Sequence, residues 1–239
     1  MSDLTGATNG RPRYRTVVID PPWPYQRASS HGKLHGYTAS ASEREHHYEP
    51  MSLEALAALP IGKAVHGYLF LWTTGPFIPA ALDLIKAWGF NYVTALYWVK
   101  RTSNGKLAFG PGFWYRGAAD PILLARSPGV PAIRTHERNI ILGGDENENA
   151  FEALRLKHSA KPEKFQEHVE SHYPESWLEL FARRQRPKWT CLGDECPGDG
   201  GDIRESLPRA IAGEIEPAPE TLPEPEPESE ETTAQRLWS

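Results

Sequence analysis

Asp20-Pro21-Pro22-Trp23 gathers a carboxylate, two prolines and an indole in four consecutive residues, directly after the β-branched run Thr16-Val17-Val18-Ile19. The run reads as a buried strand. The prolines end its ladder, because each lacks an N–H and holds φ at about −65°. The carbonyls of Asp20 and Pro21 are then left without ladder partners, beside a carboxylate and an aromatic plane at a strand's carboxyl end. In an open α/β sheet that is where ligands bind. Such a set suits the gripping of a planar base that carries an amine. Asp-Pro-Pro is also a common turn, and a following tryptophan can simply be core, so the tetrapeptide alone divides evenly between turn and site.

Two further sets could do related chemistry. From Lys100 to Asp120 the chain interleaves Lys100, Arg101, Lys106 and Arg116 with Phe109, Phe113, Trp114 and Tyr115. Cations for phosphate beside flat faces for bases suit a nucleic-acid strand. The third set is Ser159-Ala160-Lys161-Pro162-Glu163, then Glu179-Leu180-Phe181-Ala182-Arg183, then Leu192-Gly193-Asp194-Glu195. A lysine at a helix start can hold a carboxylate, and acids at strand ends can accept hydrogen bonds from ribose hydroxyls. Phosphate-cradling P-loops and Ser/His/Asp orders are absent from the sequence.

The elements that would position these residues alternate in type. Strands are expected at Thr16–Asp20, Tyr68–Trp72, Tyr92–Val99, Pro121–Ala125, Trp177–Phe181 and Trp189–Leu192, with a short one at Ile140-Ile141-Leu142. Ser52 caps a helix that carries Leu53, Leu56 and Leu59. A second helix runs from about Pro79 to Trp88 and closes at Gly89, and Pro162 opens a third that ends before His172. Alternation of this kind predicts an α/β fold, a mostly parallel sheet with helices on both faces. The expected boundaries are a flexible lead over 1–13, one domain over 14–205 and a disordered acidic Pro/Glu-rich tail over 206–239. The polar stretch from Gln26 to His47 is long for a connection and reads as a lid or binding loop.

Composition narrows the class. The net charge of −5 comes from the tail, since residues 208–239 carry eight glutamates against two arginines and leave residues 1–207 at +1. Overall acidity therefore does not argue against a nucleic-acid partner. No apolar run approaches the ~20 residues of a membrane span, and the first residues lack a secretory pattern. With only Cys191 and Cys196, a disulfide framework is excluded and a cytoplasmic protein is expected. His168 and His172 stand four apart on the third helix, without a sign of convergence on the cysteines, so no metal is expected.

The order of segments resembles the DPPW-type adenine methyltransferases, a family that holds the eukaryotic messenger-RNA adenosine methyltransferases and bacterial and phage DNA-modifying relatives. The matching segments run from Val17-Val18-Ile19-Asp20-Pro21-Pro22-Trp23 through His47-Tyr48-Glu49-Pro50-Met51-Ser52, Leu69-Phe70-Leu71-Trp72-Thr73-Thr74-Gly75 and Trp98-Val99-Lys100. They continue with Gly112-Phe113-Trp114-Tyr115-Arg116-Gly117, then the Lys161 and Arg183 segments, and end at Trp189-Thr190-Cys191-Leu192-Gly193. Residues 15–195 are covered in the family's order. Asp194-Glu195 stands where relatives often carry amides, and Ala182 where they carry glycine.

The resemblance implies a Rossmann-like fold, S-adenosylmethionine as methyl donor, and transfer to the exocyclic amine of adenine. It implies Asp20, Pro21, Pro22 and Trp23 as the catalytic site, with Tyr25, Tyr48, Lys100, Trp114, Arg116 and Asp120 toward the substrate. Asp20, Lys161, Glu179, Phe181, Arg183, Asp194 and Glu195 are the implied cofactor contacts. In this reading Asp20 and the Pro21 carbonyl accept from the amine, while Trp23 and Tyr48 stack the base. DNA is expected as the polymer, on the compact chain and the bacterial and phage relatives. RNA adenosine, cytosine as the methylated base, and a non-catalytic nucleic-acid-binding partner are the competing readings. A homodimer and a heterodimer are both compatible with these residues.

Overall fold

Strand β1 (Tyr14–Ile19) is apolar on both sides: Val17 and Ile19 enter one core cluster and Val18 the other. A strand buried on both faces belongs in the middle of a covered sheet, and β1 lies between β2 (Val65–Trp72) and β6 (Trp177–Leu180), parallel to both. The computed structural model describes residues 11–24, 50–101, 105–108, 110, 114–143, 161–194, 196 and 201–222. Its sheet has seven strands in the order β5-β3-β4-β2-β1-β6-β7, where β3 is Asn91–Lys100, β4 Ala119–Arg126, β5 Ile140–Gly143 and β7 Trp189–Leu192. Only β4 runs against its neighbours β2 and β3; every other pair is parallel. The mostly parallel sheet expected from the sequence is therefore present.

Helices cover both faces. On one side α1 (Leu53–Ala57), α2 (Ile61–Ala64) and α3 (Ile78–Ala87) bury Leu56, Ile61, Leu84 and Ile85 against Val17, Ile19, Leu69 and Leu71. On the other, α4 (Glu163–His172) buries Phe165 and Val169 against Val18, Phe70 and Trp72. Ser52 caps α1 as expected, its Oγ accepting the Ala55 N–H at 3.1 Å. No helix among the described residues is long and apolar enough to cross a membrane.

The expected boundary at 205 is corrected by a fifth helix among the described residues. In α5 (Ile203–Ala212), Ile203, Leu207 and Ala210 belong to the first core cluster. Asp202 caps its start by accepting the Arg204 N–H at 2.9 Å, which offsets part of what Pro208 costs in the interior by removing a donor. Beyond it, Ala218 exchanges backbone hydrogen bonds of 2.9 Å with Lys188 and Trp189 and so covers the edge at β7. Arg13–Glu216 and Lys188–Glu220, both 2.8 Å, fasten the same segment. The chain through Glu220 is thus fastened to the body, with its acidic side chains exposed.

Candidate active site

The site is built where the parallel strands end. Asp20 follows the last residue of β1, Trp72 is the last of β2, Lys100 the last of β3, and Phe181 follows β6. Because β4 is antiparallel, its beginning lies at this same edge, with Asp120 opposite Trp98. Residues far apart in sequence are therefore brought to one rim by topology alone.

Lys161 reaches Asp20 from the approach to α4, with Nζ 2.7 Å from Oδ2, and its ammonium also lies 5.0 Å over the Trp72 ring. Lys100 repeats the pattern: Nζ is 2.7 Å from Asp120 Oδ2 and 5.0 Å from the Trp98 ring centre. The two indoles meet edge to face, 5.9 Å apart. Asp20–Lys161 and Asp120–Lys100 are thus joined through the Trp72–Trp98 pair, each cation resting on a negative aromatic face. One pair belongs to the expected catalytic and cofactor residues, the other to the expected substrate residues. The two tryptophans that connect them were visible only as strand-end aromatics.

Trp23 requires a correction. It was expected to offer a face to the base, but it is only 6% exposed, stacks on Phe77 at 5.0 Å, and donates its indole N–H to the Trp72 carbonyl at 3.2 Å. Burying an indole whose polar edge is satisfied makes it part of the wall. Its work is to hold the turn against the end of β2. The Pro21 carbonyl likewise is not left open, since it accepts the Trp23 N–H at 2.9 Å, while Pro22 accepts from Met51 at 3.1 Å. A carbonyl has two lone pairs, so Pro21 can accept once more. Pro21 is itself buried and Asp20 half-buried, which leaves the carboxylate as the side-chain polar group that this turn brings to the rim.

Among the expected cofactor contacts, Glu179 pairs with Val18 across the β1–β6 ladder and takes a hydrogen bond from Gln166 Nε2 of α4 at 3.3 Å. Burial pushes its carboxyl up to about 7, opposed by the Gln166 bond and by Arg184 and Arg186, and aided by the charge of Asp20. Phe181 turns the chain out of β6 with φ of 62°, an uncommon left-handed conformation for a bulky residue. The turn is pressed against Gly193, where a Cβ would lie 2.2 Å from the Ala182 carbonyl oxygen; glycine is needed for that approach. Arg183 is half-buried beside this turn and Asp194 is exposed just after β7. Arg186 pins the same loop to α4 through Glu163 and Glu170, the latter at 2.6 Å, a support the sequence reading missed.

The expected substrate loop rises as an extension of β3 and β4. Lys100 N–H bonds Ala118 at 2.8 Å, Ala108 N–H bonds Lys100 at 2.8 Å, and Gly110 N–H bonds Gly117 at 3.0 Å. A Cβ at Gly110 would fall 2.3 Å from the Gly117 oxygen, so this crossing also needs glycine. Trp114 and Tyr115 stand out from it, 77% and 90% exposed, with Arg116 exposed beside them. Tyr25, Tyr48 and Glu195 lie outside the described residues.

Three orphaned atoms bear on whether a cofactor fits. Among the described residues, the buried indole N–H groups of Trp72 and Trp98 lack partners, as does Gln166 Oε1 beside Glu179. Buried polar atoms are normally satisfied. Two donors and one acceptor left in this way fit a polar, hydroxyl-bearing ligand.

A doubly covered, mostly parallel sheet with an acid-Pro-Pro turn at its ligand-binding edge defines a Rossmann-like methyltransferase domain. The chain belongs to the MT-A70 family, whose model matches residues 14–195. It is similar to the type II methyltransferase M.MunI of Mycoplasma sp, at 26% identity over 81% of this chain and 82% of that protein. It is also similar to the human N(6)-adenine-specific methyltransferase METTL4, at 25% identity over 78% of this chain and 38% of that protein. The N6-methyladenosine RNA methyltransferase MTA1 of Pyricularia oryzae matches at 24% identity, over 77% of this chain and 47% of that protein. The chain thus spans less than half the length of the latter two.

Proposed function

We propose that this chain transfers the methyl group of S-adenosylmethionine to the N6 amine of adenine in DNA. The observation that carries the reading is the Asp20–Lys161 pair, 2.7 Å across, at the carboxyl end of β1 in an MT-A70 domain. The DNA assignment is supported by the similarity to M.MunI, which extends over 82% of that protein. Cys191 and Cys196, free and buried, suit a reducing cytoplasm.

Adenine's amine is a poor nucleophile because its lone pair is delocalised into the ring. The Asp20 carboxylate would accept one of its N–H groups and the second lone pair of the Pro21 carbonyl the other. Those contacts favour a pyramidal nitrogen. They strengthen as positive charge develops on it, so they stabilise the transition state more than the ground state. Lys161 fixes the carboxylate's direction, which is the orientation term of the rate enhancement.

S-adenosylmethionine, when bound, supplies an activated methyl on its sulfonium. Lys161, Glu179, Phe181, Arg183, Asp194 and Glu195 are the residues that would hold it. Trp114, Arg116, Tyr25 and Tyr48 would meet the nucleic acid, with the Lys100–Asp120 pair at the junction. Within a duplex the target base must first leave the stack.

The test offers labelled S-adenosylmethionine with DNA and with RNA of matched sequence, followed by mass spectrometry of the nucleosides. N6-methyldeoxyadenosine from the DNA is the expected product. Methyladenosine from the RNA alone would reassign the polymer, and an unmethylated result from both would contradict the reading.

A further inference from the structure

At the opposite end of α4 from Lys161, a second group of chemically capable side chains converges. His168 and His172, one turn apart, face Glu137 of the strap that links β4 to β5. His168 Nδ1 lies 2.9 Å from one Glu137 oxygen and His172 Nε2 lies 3.3 Å from the other. The candidate donor atoms all fall within 4.8 Å of one another. The ten-residue helix is about 15 Å long, with His168 near its middle and His172 at its far end, away from the rim where Asp20 sits.

The hydrogen bonding of His172 is what makes the cluster informative. Its Nδ1 is 2.9 Å from the His168 backbone carbonyl, which can only accept, so Nδ1 carries the proton. In neutral imidazole the lone pair then belongs to Nε2, and it points at a carboxylate oxygen. Two lone pairs facing each other at 3.3 Å require a positive charge between them. A backbone carbonyl on the far nitrogen is also how a metal-ligating histidine is usually held, since it fixes the tautomer and the ring direction. The rings of His168 and His172 lie 4.6 Å apart, so charging both as imidazolium would set like charges side by side.

We infer that Glu137, His168 and His172 form a binding site for a divalent transition-metal cation of the zinc class. Two imidazoles and one carboxylate are the donor set such a cation prefers, whereas magnesium and calcium favour all-oxygen sites. Tetrahedral bonds of about 2.0–2.1 Å put ligand atoms about 3.3 Å apart. His172 Nε2 stands at that spacing from one Glu137 oxygen and His168 Nδ1 lies closer, at 2.9 Å, to the other, so Glu137, 52% exposed, need only turn to present one oxygen to both rings. The fourth vertex is left to water. The strap is otherwise tied by Tyr68 Oη to the Pro131 carbonyl at 2.7 Å and by Arg126 to the Val130 carbonyl at 2.8 Å. A cation here would clamp the strap, and through it β5, to α4. The absence of metal expected from sequence rested on histidines and cysteines alone, and Glu137 is remote from both in sequence.

The experiment uses the full chain, stripped with a chelator and titrated with zinc chloride by calorimetry, beside Glu137→Gln and His172→Gln variants. Wild-type protein should take up one equivalent and melt at a higher temperature with zinc present. Each variant should bind at least about tenfold more weakly and lose the zinc-dependent rise in melting temperature. Cobalt(II) in place of zinc should give visible absorption of tetrahedral intensity in wild type alone. Glu137→Gln changes an exposed side chain, so it keeps the comparison valid should His172→Gln fold poorly. Failure of wild type to take up zinc saturably would overturn the proposal, leaving a proton-bridged ion pair. So would uptake that both variants leave unchanged.

Discussion

Lys161 holds Asp20 at 2.7 Å while its ammonium rests on the face of Trp72, so the residue that orients the strand-end acid is itself oriented by the end of the next strand. Removing it leaves a half-buried carboxylate without its cation. Lys161→Met should lower kcat/KM for methyl transfer by about 100-fold, with Lys161→Arg recovering part of the loss. Steady-state kinetics with labelled cofactor measures this. Wild-type rates in Lys161→Met would remove the lysine from the site.

Trp23 separates two roles that the motif alone confounds. If it is the wall the structure shows, Trp23→Phe keeps the stack on Phe77 and loses only the bond to the Trp72 carbonyl. Stability should then fall by about 1–2 kcal/mol, and Trp23→Ala should cost about 3–5 kcal/mol. Urea denaturation followed by circular dichroism reads both. Unchanged stability with lost base binding would return Trp23 to the role expected from sequence.

Trp114 and Tyr115 should behave in the opposite way. Both project from the β3–β4 extension, so alanine at either should alter stability by less than about 0.5 kcal/mol. Each should weaken single-stranded nucleic-acid binding by about 1–3 kcal/mol. Arg116→Ala should also make binding less sensitive to salt. Fluorescence anisotropy across a salt series checks all three, and full affinity in the double aromatic variant would disprove the stacking role.

Glu179 carries a pH signature. Its carboxyl is raised by burial from 4.5 when unfolded to about 7 when folded. Between those values the folded chain binds the extra proton, so stability falls as pH rises and the cost is complete above the folded value. Glu179→Gln cannot ionise. It should therefore stabilise the protein little at about pH 5 and by on the order of 2–3 kcal/mol at about pH 8. Melting temperatures at both pH values test the difference, and an equal gain at each would contradict the buried carboxylate.

Strands were legible because their apolar runs are short, β-branched and bounded by breakers: Thr16–Ile19 before two prolines, and Leu69–Trp72 before Thr-Thr-Gly-Pro. The last helix was not. Pro208 and the glutamates after it read as a solvated tail, while Ile203, Leu207 and Ala210 are too sparse to announce a buried face without the sheet they cover. The acids and cations of the site were legible by type, but their pairing was not. Asp120 finds Lys100, and Asp20 finds Lys161, only because an antiparallel β4 and a helix approach meet at one rim. The wall position of Trp23 and the Glu137–His cluster likewise depend on contacts between distant segments, which periodicity does not encode.

In the proposed reaction Asp20 accepts the adenine amine during transfer. This role is tested most directly by comparing wild type and Asp20→Ala on an adenine-containing DNA duplex with labelled S-adenosylmethionine, with nucleosides analysed by mass spectrometry and cofactor affinity measured in parallel. Wild type should give N6-methyldeoxyadenosine, and Asp20→Ala should lose at least about 10³-fold with cofactor binding largely kept. Wild-type turnover in Asp20→Ala, or label confined to a base other than adenine, would contradict it.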